Sequence, residues 1–171
     1  MTRQTPRRRP HRLLGWDYGA AATYFCTLCT KERQPLLGQI MEGAMCLSAI
    51  GELVDSALAE LQVERPDVLV DAYVIMPNHV HLLVSLVGDA LVRTCGNSLA
   101  PPSGSLGWYI GRLKAIVAAR ARRAGLIGGQ SLWQRGFHDH VVRNDREYAA
   151  ITAYIEGNPA NWMNDHENLA P

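Results

Sequence analysis

The stretch Ala72-Tyr-Val-Ile-Met-Pro-Asn-His-Val-His-Leu-Leu-Val84 leaves the chain few options. Two short β-branched and aliphatic runs flank Met76-Pro77-Asn78, so the segment reads as strand, tight corner, antiparallel strand. Side chains at i and i+2 of a strand share a face. His79 and His81 therefore project side by side, with Val80 turned the other way into the core. Two imidazoles held parallel on a rigid strand are half of a metal site. The plainer reading of the pair alone is two polar residues that alternation places on a solvated sheet face.

The rest of the chain supplies a single domain around this pair. At 171 residues, 47% hydrophobic and 19% charged, it has the size and composition of a soluble globular protein with a real core. No apolar run approaches the about 20 residues of a membrane span. The basic start lacks the apolar segment of a secretory signal. Cys26 and Cys29 form a C-x-x-C within Thr23–Thr30, but that segment reads as a strand and their odd offset sends them to opposite faces. With Cys46 and Cys95 they are expected to be free thiols in a reducing cytoplasm.

Net charge is +1, yet the signs are segregated. Residues 1–12 carry Arg3, Arg7, Arg8, Arg9 and Arg12 and no acid. Residues 42–71 are acidic, and residues 93–143 hold Arg93, Arg112, Lys114, Arg120, Arg122, Arg123, Arg135 and Arg143 against Asp139. Such a split implies a basic side for a polyanion, or two ordinary solvated helix faces.

Periodicity gives the order of elements. Residues 1–14 read as a flexible Arg- and Pro-rich arm. Leu36–Leu47 reads as a small hairpin turning at Glu42-Gly43. Ser48 caps a helix whose apolar stripe is Leu47, Ile50, Val54, Leu58 and Leu61, ending at Pro66. Strands follow over Val68–Ile75 and His79–Leu86. Val87–Ser105 is a Gly-, Ser- and Pro-rich loop. Leu106–Ala124 is a second helix, stopped by Gly125, with Arg112, Arg120 and Arg123 on one flank; Trp108 and Tyr109 nearby read as core, the commoner role for aromatics at a helix start, or as faces for base stacking. Phe137–Arg143 is a last strand. Asn144 and Glu147 form a capping box for a final helix with a stripe of Tyr148, Ile151 and Ile155, closed by Gly157 and Pro159. The order β-α-β-β-α-β plus a helix predicts an α+β fold, a ferredoxin-like split βαβ sandwich with a four-stranded antiparallel sheet, helices on one face and an added C-terminal helix. On that helix Tyr154 and Asn158, four apart, share a face. A buried aromatic and a common helix-end residue would look the same.

Three segments taken together, Tyr73-Val-Ile-Met-Pro-Asn-His-Val-His81, Leu132-Trp-Gln-Arg-Gly-Phe-His-Asp-His-Val-Val-Arg143 and Tyr154-Ile-Glu-Gly-Asn-Pro-Ala-Asn-Trp162, resemble the REP-associated tyrosine transposases. These are HUH nucleases, named for a His-hydrophobic-His motif that His79-Val80-His81 matches. The resemblance spans residues 15–162, leaving the 1–14 arm and a 163–171 tail. It implies His79, His81 and Asn158 as ligands of Mg²⁺ or Mn²⁺, Tyr154 as catalytic nucleophile, and a bacterial, nucleoid-associated location. It implies nicking and rejoining of single-stranded or hairpin DNA through a 5′-phosphotyrosine, by a monomer or homodimer. A non-catalytic DNA-binding descendant is the alternative, and a small Cys/His zinc module a more distant one. Two imidazoles and an amide would also suit zinc, so the metal's identity rests on the resemblance. His138-Asp139-His140 repeats the His-x-His spacing on a second strand, and spacing alone leaves it a rival metal pair.

Arg7, Arg8, Arg9, Arg112, Lys114, Arg120, Arg123, Arg135 and Arg143 are the expected phosphate contacts. Each lost contact should reduce the salt slope of single-strand binding by about 0.7. Deleting residues 1–12 is expected to weaken binding of labelled single-stranded DNA while leaving metal binding intact; equal affinities of the two forms in a salt titration would remove the arm from the interface.

Overall fold

A strand that is central in a sheet and must bury both faces reads as nearly continuous apolar sequence. His79–Leu86 is such a strand, apart from its two histidines and Ser85. The computed structural model describes residues 21–87 and 104–164. The arm, most of the 87–105 loop, Cys95 and the end of the tail lie outside them. The elements are β1 (Ala22–Cys29), β2 (Gly38–Met41), β3 (Ala44–Leu47), α1 (Ala49–Glu64), β4 (Val68–Met76), β5 (His79–Leu86), α2 (Leu106–Arg123), β6 (His138–Val142), α3 (Asp145–Gly157) and a 3₁₀ helix (Pro159–Asn164). The main sheet runs β4-β5-β1-β6, with every neighbouring pair antiparallel. β1 and β4 are thus parallel with β5 between them, and β5 and β6 are parallel with β1 between them. These two interleaved split βαβ units are the predicted ferredoxin-like sandwich.

Alternation along the central strands sorts the two faces. Tyr24, Cys26, Leu28, Val80, Leu82, Val84 and Val141 form one buried cluster with Ile50, Val54, Leu58 and Leu61 of α1 and Ile110, Leu113 and Val117 of α2. Leu47, expected on the α1 stripe, is instead the last residue of β3 and is exposed, because the strand continues to the Ser48 cap. Tyr109 is wholly buried, so it is core and not a stacking face; Trp108 lies under the Arg65 guanidinium at 4.7 Å. Tyr73 donates to Asp55 at 2.7 Å, tying β4 to α1, and this bond pushes the Tyr73 hydroxyl pKa up to about 12.

The β2–β3 hairpin forms a separate two-stranded sheet, and Glu42 and Gly43 take the left-handed backbone that its tight turn needs. The chain between β1 and this hairpin holds the β4–β5 corner. Thr30 N–H donates to Asn78 O and Leu37 N–H to Pro77 O, each at 2.9 Å.

The third helix, α3, touches β4 and β5. The expected Tyr148-Ile151-Ile155 stripe is only partly buried. Ile155 is the buried residue of this helix, and Tyr148 is 36% exposed. The reason is the surface beneath: Thr23, Ser85 and Asp71 make a hydrogen-bonded polar row at that end of the sheet and give an apolar stripe little to cover.

The first turn of α1 presses against the loop before β2, and a Cβ on Gly51 would lie 2.2 Å from Leu37 O. Backbone cannot yield as a side-chain tip can. Gly51→Ala is expected to destabilise the domain by about 3 kcal/mol despite alanine's better helix propensity. That corresponds to a melting temperature lower by roughly 6–12 °C; an unchanged melting curve would refute the close packing.

Candidate functional site

Strand register carries the site. Opposed residues of paired strands share a face, and His81 lies opposite Thr27 on β1 and Val74 on β4. His79 and His81 therefore stand on the sheet face away from α1 and α2. Both are buried, at 0% and 1% exposure, with ring centroids 4.4 Å apart. Burying an imidazole is costly unless its nitrogens are satisfied. The Nδ1 of His79 lies 2.8 Å from Asn78 Oδ1, and the Nδ1 of His81 lies 2.9 Å from Thr27 Oγ1. Asn78 Oδ1 can only accept, so His79 Nδ1 is the protonated nitrogen. In the neutral ring the lone pair then sits on Nε2. Partners of this kind orient histidines in metal sites.

Above the pair lies α3. The Tyr154 hydroxyl is 3.3 Å from His81 Nε2, and the two rings are 5.3 Å apart. Phe25 supports both, 5.0 Å from the His81 ring and edge-on to Tyr154 at 6.0 Å. Further along, Trp162 approaches the His79 ring at 6.0 Å. The chain thus runs from His81 to His79 between Tyr154 and Trp162, and Asn158 falls midway. Asn158 is 2% exposed, and its Oδ1 has no hydrogen-bond partner among the described residues. Tyr154 itself is 40% exposed. The structure therefore brings His79, His81 and Tyr154 together and buries Asn158 on the same stretch of chain.

The rival pair is placed differently. His138 and His140 share the sheet face of His81, but β1 lies between the two strands. His140 is engaged by Glu147, with Nε2 and Oε1 2.6 Å apart. Among the described residues no three His, Cys, Asp or Glu side chains cluster to hold a metal. Cys26 and Cys29 are buried, and burial raises the Cys26 pKa well above its usual value.

The basic residues are scattered. Arg7, Arg8 and Arg9 lie outside the described residues. Arg120 makes a two-pronged pair with Glu60 of α1, at 2.8 and 2.5 Å, and Arg112 lies 3.9 Å from Glu64. The acidic and basic segments expected to form opposite sides thus lie side by side, because α1 and α2 pack against each other on one face of the sheet. That face is opposite the histidines. Arg123 ends α2, exposed. Lys114 donates to Gln134 O and Gly136 O, both at 2.7 Å, and burial pushes its pKa down to about 8. It staples the loop bearing Arg135. Arg135 and Arg143, at either end of β6, are exposed.

Comparison with known proteins places this geometry. No family model matches the chain. An uncharacterized protein of Haemophilus influenzae (strain Rd) is 31% identical over 167 residues, covering 92% of this chain and 91% of its own. The chain belongs to that protein's family. A REP-associated tyrosine transposase solved with a REP hairpin superposes with a TM-score of 0.58 at 20% identity, over 92% of this chain and 74% of that one. A candidate transposase from Deinococcus radiodurans R1 gives 0.50 at 20% identity, over 85% and 95%. This is the fold of the REP-associated tyrosine transposases, as the sequence motifs implied.

Thr27 and Asn78 are the site residues that sequence reasoning missed. Asn78 sat inside the quoted motif as a turn former, and nothing local marks Thr27, whose role comes from register. Thr27→Val keeps shape but leaves His81 Nδ1 buried without its partner. Urea unfolding is expected to show a loss of about 1–3 kcal/mol; a neutral substitution would mean that the hydroxyl does not hold the ring.

Proposed function

We propose that this protein is a metal-dependent, single-tyrosine DNA nickase and strand transferase acting on single-stranded or hairpin DNA. The observation that carries the reading is the hydroxyl of Tyr154, a partly exposed residue, 3.3 Å from the Nε2 of His81 in a buried histidine pair. A tyrosine at the rim of a water-shielded imidazole pair has the access of a nucleophile and a polar floor beneath it.

The donor set, two imidazole nitrogens and one amide oxygen, fits a divalent ion, zinc included. The Nε2 atoms of His79 and His81 and the unpartnered Oδ1 of Asn158 would hold it, and the chain's resemblance favours Mg²⁺ or Mn²⁺. Bound there, the ion would neutralise phosphate oxygens and orient the scissile phosphorus. All three donors are neutral, so affinity should rise when anionic DNA arrives. The lone pair on His81 Nε2 serves one partner at a time. In the site as built Nε2 lies 3.3 Å from the Tyr154 hydroxyl, a contact that holds the tyrosine over the pair before substrate binds.

The reaction conserves bond type. Tyr154 Oη bonds to phosphorus and loses its proton, and the P–O3′ bond breaks. A 5′-phosphotyrosine and a free 3′-OH result. One phosphodiester replaces another, so no ATP is needed, and a second 3′-OH can attack the tyrosyl ester to rejoin strands. Arg135, Arg143 and the arm residues Arg7, Arg8 and Arg9 are the preferred phosphate contacts. Arg112, Arg120 and Lys114 already serve acids or carbonyls within the fold.

Incubation with labelled hairpin DNA and Mn²⁺, followed by a denaturing gel, is expected to show a covalent adduct. Tyr154→Phe should abolish it, because phenylalanine has no hydroxyl to bond to phosphorus. Binding without an adduct in the unaltered protein would point to a non-catalytic DNA-binding role, and an adduct surviving Tyr154→Phe would exclude this nucleophile.

A further inference from the structure

His140 stands on β6 opposite Phe25, on the same face as His81 but at the sheet's edge. Its Nε2 meets Glu147 Oε1 at 2.6 Å. The second oxygen of Glu147 accepts the Arg143 backbone N–H at 2.8 Å, and the Glu147 N–H donates to Asn144 Oδ1 at 2.9 Å. Glu147 thus belongs to the start of α3 and to the sheet at once. A simple capping box needs only the first connection.

Glu147 and Tyr154 are seven residues apart, two helical turns, and so lie on one stripe of α3. Both ends of that stripe meet a histidine of the sheet, His140 at one end and His81 at the other. Between them packing is thin, since Ile155 is the buried residue of the helix. A helix held by packing at its C-terminal half alone can pivot about that point. A second tie two turns upstream removes the pivot.

We propose that His140 is a positioning residue, whose bond to Glu147 seats α3 so that the Tyr154 hydroxyl stays over His81. The consequence for catalysis rests on the reading of Tyr154 as nucleophile; the seating of the helix does not. An exposed pair of this kind contributes little to global stability. Its effect belongs to the local opening of one helix.

Two measurements on the full chain test it. Native-state hydrogen exchange compares the unaltered protein with His140→Ala. The α3 amides should exchange about three- to tenfold faster while β1 and β5 amides stay unchanged. Unchanged α3 exchange overturns the proposal, and so does equal acceleration of helix and sheet. Single-turnover adduct formation at saturating hairpin DNA then reads the consequence. His140→Ala should slow it about tenfold with the DNA dissociation constant unchanged. His140→Gln, which keeps an N–H donor for Glu147, should restore most of the rate. A wild-type rate in the alanine variant, or no recovery with glutamine, overturns the positioning role. If the unaltered protein forms no adduct, the nucleophile reading falls while the exchange comparison still decides the seating.

Discussion

The period of two along β5 is the constraint on which this molecule rests. The strand is central, so it buries both faces. Val80, Leu82 and Val84 join the core with α1 and α2, and alternation leaves His79 and His81 no choice but the other face. A one-residue slip in pairing would exchange the two sets, placing imidazoles in the apolar core. The corner guards against that slip. Thr30 and Leu37 hold the carbonyls of Asn78 and Pro77, so β5 begins at a pinned point. The same corner supplies Asn78 to the first histidine, and β1 supplies Thr27 to the second.

The opposite face is built on another principle. Where α1 and α2 dock through a wide apolar seam, α3 docks through one buried aliphatic residue and a series of polar or aromatic contacts: Glu147 with His140, Tyr154 with His81, and Asn158 buried near the chain's turn into the 3₁₀ helix. Polar contacts are directional, so they fix where a hydroxyl points better than apolar area does. They also leave the helix near the low end of local stability, where elements that meet large substrates are commonly found. Buried imidazoles lie below, and a partly exposed tyrosine lies above them.

Charge shows how folding rearranges a linear pattern. Acidic α1 and basic α2 are far apart in sequence and adjacent in space, so Glu60 and Glu64 face Arg120 and Arg112. Side-chain charge that looked available for a polyanion is used to bridge two helices. Lys114 goes further: its ammonium is partly buried and bound to two carbonyls. Arg135 and Arg143 stay exposed at either end of β6, the strand that also carries His140, and Arg123 stays exposed at the end of α2.

Much was legible in the sequence because it is local. Hydrophobic periodicity marked the strands and helices, and β5 begins and ends where the pattern says. Ser48 and Asn144 cap their helices as their residue types predict, since a cap needs only three neighbouring residues. The His79–His81 pair follows from strand geometry alone. What needed the tertiary structure involves partners distant in sequence. Thr27 meets His81 across 54 positions, Tyr154 meets His81 across 73, and Arg120 meets Glu60 across 60. Such contacts are set by strand register and helix packing, which sum many weak interactions over the whole chain. No local window contains that sum, so the sequence determined which chemical groups the protein owns, and only the folded sheet decided which of them stand together.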